Sequence, residues 1–137
     1  QTAVVYFWNC NFKLALKTIR PILNAGKPFS QLPQTKPIRF LNILVHCELK
    51  DDDFLESEIR SVERELKKRG KLLKSEEIIL KVITLLTYES DKQKLNKKLQ
   101  EQKESLIALK SNPFERQLLN SFNYIQWIDN QTIKTNK

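Results

Sequence analysis

The residues whose types could do chemistry are few. One histidine, His46, stands just upstream of an acidic run, Asp51, Asp52 and Asp53, with Glu56 and Glu58 beyond it, and the chain holds two cysteines, Cys10 and Cys47. Catalysis by proton transfer or nucleophilic attack needs an acid, a base and a nucleophile that converge. A lone histidine on an apolar helical stretch reads as a packing residue instead, so no enzymatic activity is expected. The acidic run has neither the ligand spacing nor the central glycine of a calcium loop, and helix capping at a tight turn accounts for it. No Gly-rich phosphate loop, zinc-ligand cluster or Gly-x-Ser-x-Gly elbow occurs, so neither a metal nor a cofactor is expected. The cysteines match no secreted framework and read as two reduced, helix-packing thiols. Asn130-Gln131-Thr132 is a formal glycosylation sequon, but nothing else points to secretion.

Charge is the other feature that could carry function. The 137 residues hold 24 basic and 16 acidic side chains, a net charge of +8. Lys67, Lys68, Arg69, Lys71 and Lys74 form one cluster, and Lys92, Lys94, Lys97 and Lys98 a second. A basic ridge for phosphate backbones is the alternative reading of these residues. The first cluster, however, falls where cations favour a helix C-terminus, and neither is interleaved with aromatics for base stacking. Solvated structural charge is therefore the first reading.

The elements that position these residues are legible from composition. Two Gly and five Pro in the whole chain leave little turn chemistry for a sandwich or barrel, and Leu, Ile, Lys and Glu favour helices. No apolar run approaches the roughly 20 residues that span a bilayer, and a cytoplasmic location is expected. The chain starts at Gln1 and contains no Met, so a trimmed fragment is expected, with an upstream signal segment left open. Apolar periodicity predicts an all-α fold of about seven helices. They fall at about 2–9, 11–24 with Pro21 inside, 36–49, 53–69, 75–90, 91–110 and 112–130. The stretch from Gly26 to Pro37 is the one extended loop, and a polar tail over 131–137 is expected to fray. Asp53 with Glu56, Ser75 with Glu76, and Asn112 with Pro113 and Glu115 read as helix starts.

Paired helices joined by tight turns invite a search for a repeat near 34 residues. Tyr6, Phe12, Ala15, Ile19 and Ile22 fall at steps of 6, 3, 4 and 3, which resembles the closing two-thirds of a tetratricopeptide repeat. His46, Asp52, Leu55, Ile59 and Val62 hold the same spacing in degenerate form. Beyond Gly70 that pattern cannot be matched, although 75–110 forms a third pair by its own caps. The final helix looks like the cap that closes such solenoids, and the ending is similar to that of large uncharacterised bacterial tetratricopeptide-like proteins. The resemblance implies a right-handed α-α superhelix in one domain over 1–130, with pairs at 2–25, 36–69 and 75–110 and a capping helix at 112–130. It further implies a non-catalytic scaffold that binds a protein or peptide partner in a groove lined by the first helix of each pair. By position Val4, Phe7, Trp8, Phe40, Leu44 and Cys47 would face it. A homodimer through an exposed repeat end is a further expectation, and a nucleic-acid-binding or regulatory domain is the alternative function.

Overall fold

A computed structural model describes residues 2–24, 35–68 and 73–136, without the side chains of 35, 66 and 133–136. Among these residues the chain is all-helical, with eight helices and no strand. They are α1 (Thr2–Trp8), α2 (Phe12–Leu23), α3 (Thr35–Glu48), α4 (Asp52–Lys68), α5 (Lys74–Tyr88), α6 (Lys92–Ala108), α7 (Arg116–Ser121) and α8 (Tyr124–Asn136). Gly26, Pro28 and Pro33 of the expected loop, together with Arg69, Gly70 and Lys71, lie outside the described residues. The chain divides into two compact units, Gln1–Glu58 and Ile59–Lys137, with the division falling inside α4.

In the first unit, α1 packs on α2 and α2 on α3. The turn after α1 is a Schellman motif, in which the last carbonyls of a helix are satisfied by amides just beyond it. The Cys10 amide donates to the Phe7 carbonyl at 3.0 Å and the Asn11 amide to the Tyr6 carbonyl at 2.8 Å. The turn after α3 repeats this bond for bond, with Lys50 donating to Cys47 at 3.1 Å and Asp51 to His46 at 3.0 Å. Closing the motif requires a left-handed residue, and Cys10 (φ 59°) and Lys50 (φ 57°) occupy that position. Cys10 is therefore an exposed turn residue rather than a helix-packing one, and neither cysteine is in a disulfide.

The next residue of each turn starts the following helix. The Asn11 side chain accepts from the Leu14 amide and that of Asp51 from the Phe54 amide, both at 3.4 Å. The cap of α4 is thus Asp51, not Asp53 as the capping-box spacing suggests, because the residue whose amide closes the Schellman turn is itself the cap. In the second unit, Asp91 caps α6 by accepting from Gln93 and Lys94 at 3.0 and 3.2 Å. The caps therefore stand at 11, 51 and 91, a spacing of 40 residues rather than one near 34. Buried positions keep the same register: Ala3, Ile43 and Ile83 before the turns, then Ala15, Leu55 and Leu95, and Ile19, Ile59 and Leu99 after them. The third pair, which the aromatic motif does not reach, joins the series through its cap and its buried positions.

Past α6 the second unit departs from the expected elements. The segment meant to form one capping helix is broken into α7 and α8 at Phe122, whose backbone is extended (φ −160°, ψ 146°). Asn123 then starts α8, its side chain accepting from the Gln126 amide at 3.1 Å. α8 packs on α6 through a buried stripe of Tyr124, Trp127, Ile128 and Gln131, spaced at three and four residues. The Lys103–Asp129 ion pair at 2.7 Å ties the same two helices. α8 runs on to Asn136, past the point where the sequence predicts fraying.

Glu115 is reassigned by the structure. The sequence makes it the capping-box acid of its own helix, yet its buried carboxylate, 3% exposed, reaches the start of α5. One oxygen accepts from the Lys74 amide at 2.9 Å. The other accepts from the Ser75 amide at 3.2 Å and the Ser75 hydroxyl at 2.5 Å. A carboxylate on these first-turn amides satisfies orphan donors and meets the positive end of the helix dipole. Ser75 is accordingly not the cap of α5: Leu73 holds that position, its amide donating to Glu76 at 2.8 Å.

Candidate interaction surface

The six residues that the resemblance places on a partner groove separate by burial. Phe7, Phe40 and Leu44 belong to the core and are closed to any partner. α2 packs against both α1 and α3. Val4 and Cys47 are half-buried, and Trp8 is exposed. Trp8 meets Phe7 edge-on, with ring centroids 5.6 Å apart, and Phe7 in turn meets Phe12 at 5.5 Å. The register explains the separation. Ala3 and Phe7 lie on the face of α1 turned to α2, whereas Val4, Val5 and Trp8, at steps of one and three, share another face. Val5 is 55% exposed, a position that groove-based reasoning passed over.

His46 sits at the second turn, where it joins three features. Its ring stacks on Phe54 with centroids 3.7 Å apart, and its Nδ1 lies 3.2 Å from the Asp51 carboxylate. Burial holds the imidazole below its ordinary value, against the hydrogen bond and charge of Asp51. Arg20 adds to the lowering and Glu58 opposes it. A neutral, stacked imidazole bonded to the cap residue locks the turn, as the packing interpretation of a lone histidine expects. Nearby, Arg39 and Glu58 pair at 2.9 Å, holding α3 to α4. Among the described residues no group of three His, Cys, Asp or Glu side chains is placed to hold a metal.

The basic residues lie chiefly in the second unit, which carries seventeen basic and ten acidic side chains of the chain's total, against seven and six in the first. Lys67 and Lys68, in the last turn of α4, are exposed and border a cleft of about 540 Å³ with Ser61, Arg64 and Glu65. Lys74 is exposed at the first position of α5. In the second cluster Lys98 reaches Glu89 at 3.6 Å, while Lys92, Lys94 and Lys97 face solvent. Tyr88, the last residue of α5, is 60% exposed. A smaller cleft of about 290 Å³ is bordered by Leu106, Lys110, Asn120 and Tyr124. Burial holds the Tyr124 phenol well above its ordinary value, and that group stays protonated.

No family model, curated protein or solved structure matches this chain. No helix among the described residues is long and apolar enough to cross a membrane.

Proposed function

We propose that the chain is a non-catalytic helical-repeat scaffold that engages a protein partner. The observation that carries this reading is the 40-residue register, in which three helix pairs reuse one cap position and one set of buried positions. Pairs that share a register present equivalent surfaces side by side, the geometry by which repeat proteins bind extended partners. A tetratricopeptide-like superhelix is one way to stack such pairs.

A second reading is favoured by the charge partition: net +7 in the second unit and +1 in the first suits a polyanion such as nucleic acid. Affinity capture from a lysate of the source cell, at low and moderate salt and with nuclease treatment, separates the two. Protein recovered at both salts despite nuclease supports the scaffold. Nucleic acid recovered only at low salt supports the second reading, since counterion release makes that binding weaken steeply with salt.

A further inference from the structure

The segment between α6 and α7 carries Phe114, at 80% exposure the most open large apolar side chain among the described residues. Exposure alone signifies little, but Phe114 is distinguished by how it is held and by what stands beside it. The Asn112 amide donates to the Leu109 carbonyl at 3.0 Å and the Glu115 amide to the Asn112 carbonyl at 3.1 Å, with Pro113 at the second position of the latter turn. The Asn112 side chain accepts from the Phe114 amide at 2.9 Å. Glu115, buried, is bound to the first turn of α5. The backbone under the ring is thus fixed on both sides, and the ring stands out from it. The tie to α5 also joins residues far apart in sequence. Because Glu115 accepts from the Lys74 amide, Lys74, exposed and part of the first basic cluster, lies beside the residue that follows Phe114. Lys110 and Arg116, both exposed, flank the turn along the chain. The basic cluster that lacks an aromatic in sequence therefore has one in the fold.

We infer that the Asn112–Glu115 turn is a stacking site for single-stranded nucleic acid, with Phe114 carrying a base and Lys74, Lys110 and Arg116 contacting the phosphates around it. This deepens the polyanion reading and rests on it, naming the form of the strand and the contact that selects it. An aromatic face among cations is the arrangement that binds an unpaired strand, because every base has a π face and every linkage a negative charge. In a duplex those faces are covered by the neighbouring bases, so the ring adds nothing to duplex binding. The unit that carries the turn has a net charge of +7, complementary to a phosphate backbone. The Glu115 carboxylate does not oppose the strand, since it is buried on the α5 amides.

The test titrates the full chain, by fluorescence anisotropy, into labelled oligothymidylate of about 12 nucleotides, an abasic strand of the same length and a duplex of the same length. Oligothymidylate is expected to bind most tightly. Phe114→Ala weakens it about tenfold, Phe114→Leu, which keeps apolar bulk without a π face, does the same, and Phe114→Trp restores it. None of the three changes affinity for the abasic strand. Arg116→Gln instead reduces the slope of log affinity against log salt by about 0.7, the contribution of one phosphate contact on a single strand. The ring is exposed, so each Phe114 variant keeps the helical circular dichroism spectrum and unfolding midpoint of the original chain. Equal affinity for oligothymidylate and the abasic strand, preference for the duplex, or indifference to Phe114→Ala overturns the inference and leaves the polyanion reading in place. Absence of binding to all three probes at low salt removes both. Binding to phosphatidylserine vesicles in place of the oligonucleotides also overturns it, because a lipid surface is then the occupant.

Discussion

Replacing Glu115 with Ala removes a buried carboxylate that holds the first turn of α5 from forty residues away. Three donors lose their acceptor: the Lys74 amide, the Ser75 amide and the Ser75 hydroxyl. A buried donor left unsatisfied costs about 1–3 kcal/mol, and loss of an N-cap alone costs about 0.5–2 kcal/mol. Relief of the desolvation that a buried carboxylate carries offsets part of this. The net for Glu115→Ala is therefore about 3 kcal/mol, a large share of the roughly 5–15 kcal/mol that holds a domain together. Glu115→Gln keeps one acceptor and turns a donor toward the other amides, so about 2 kcal/mol is expected. Chemical denaturation followed by helical circular dichroism measures both, and amide exchange localises the effect, because Lys74 and Ser75 must lose protection first. The Ser75→Ala background gives the coupling: once the hydroxyl is gone, Glu115→Ala should cost less. A Glu115→Ala protein within about 0.5 kcal/mol of the wild type, or one whose Ser75 amide stays protected, refutes the reasoning.

Three further outcomes follow from the turns and the core. Lys50→Gly should stabilise the chain by about 0.5–1 kcal/mol in denaturant titration, since glycine adopts the φ of 57° without a Cβ clash, and Lys50→Val should destabilise it. Unfolded His46 titrates near 6.5 while the folded residue is held lower by burial. The unfolded chain therefore takes up the proton first, so stability is complete above that range and falls as pH drops below 6.5. His46→Leu should flatten this part of a stability–pH curve. Phe40→Asp, at a position 1% exposed, should abolish cooperative unfolding, whereas Trp8→Glu should leave the circular dichroism spectrum unchanged.

Helix existence was the most legible level, because it rests on apolar spacing. Leu95, Leu99 and Leu106 make a narrow stripe in sequence, and all three are buried on α6. Capping was less legible: Asp51 and Leu73, not Asp53 and Ser75, hold the cap positions of α4 and α5, and a cap distant in sequence leaves no local signal. No spacing rule links Glu115 to Ser75, since the tie depends on how the 109–115 segment returns to α5. The break at Phe122 was hidden for a related reason. Apolar residues continue across it at helical steps, and only the extended backbone of Phe122 and the cap at Asn123 interrupt the pattern. Periodicity shows that a side is apolar but not which neighbour covers it, and Phe7, Phe40 and Leu44 are buried. The 40-residue spacing of caps lay in the sequence all along, as Asn11, Asp51 and Asp91. A motif that looks for aromatics and a small residue passes over it, for Ala15, Leu55 and Leu95 share burial and not size.

The 40-residue spacing is kept although the helices between the caps differ. α2 has 12 residues and α4 has 17, while eleven residues separate α2 from α3 and five separate α4 from α5. The chain length from cap to cap is nevertheless the same in both intervals. The longest tie named here, Lys74 to Glu115, spans 41 residues. Loop closure of that size is the slowest search such a chain must make, and most of its contacts are far more local. The backbone bonds that close the capped turns span five residues or fewer, so the turns can form without waiting for that closure.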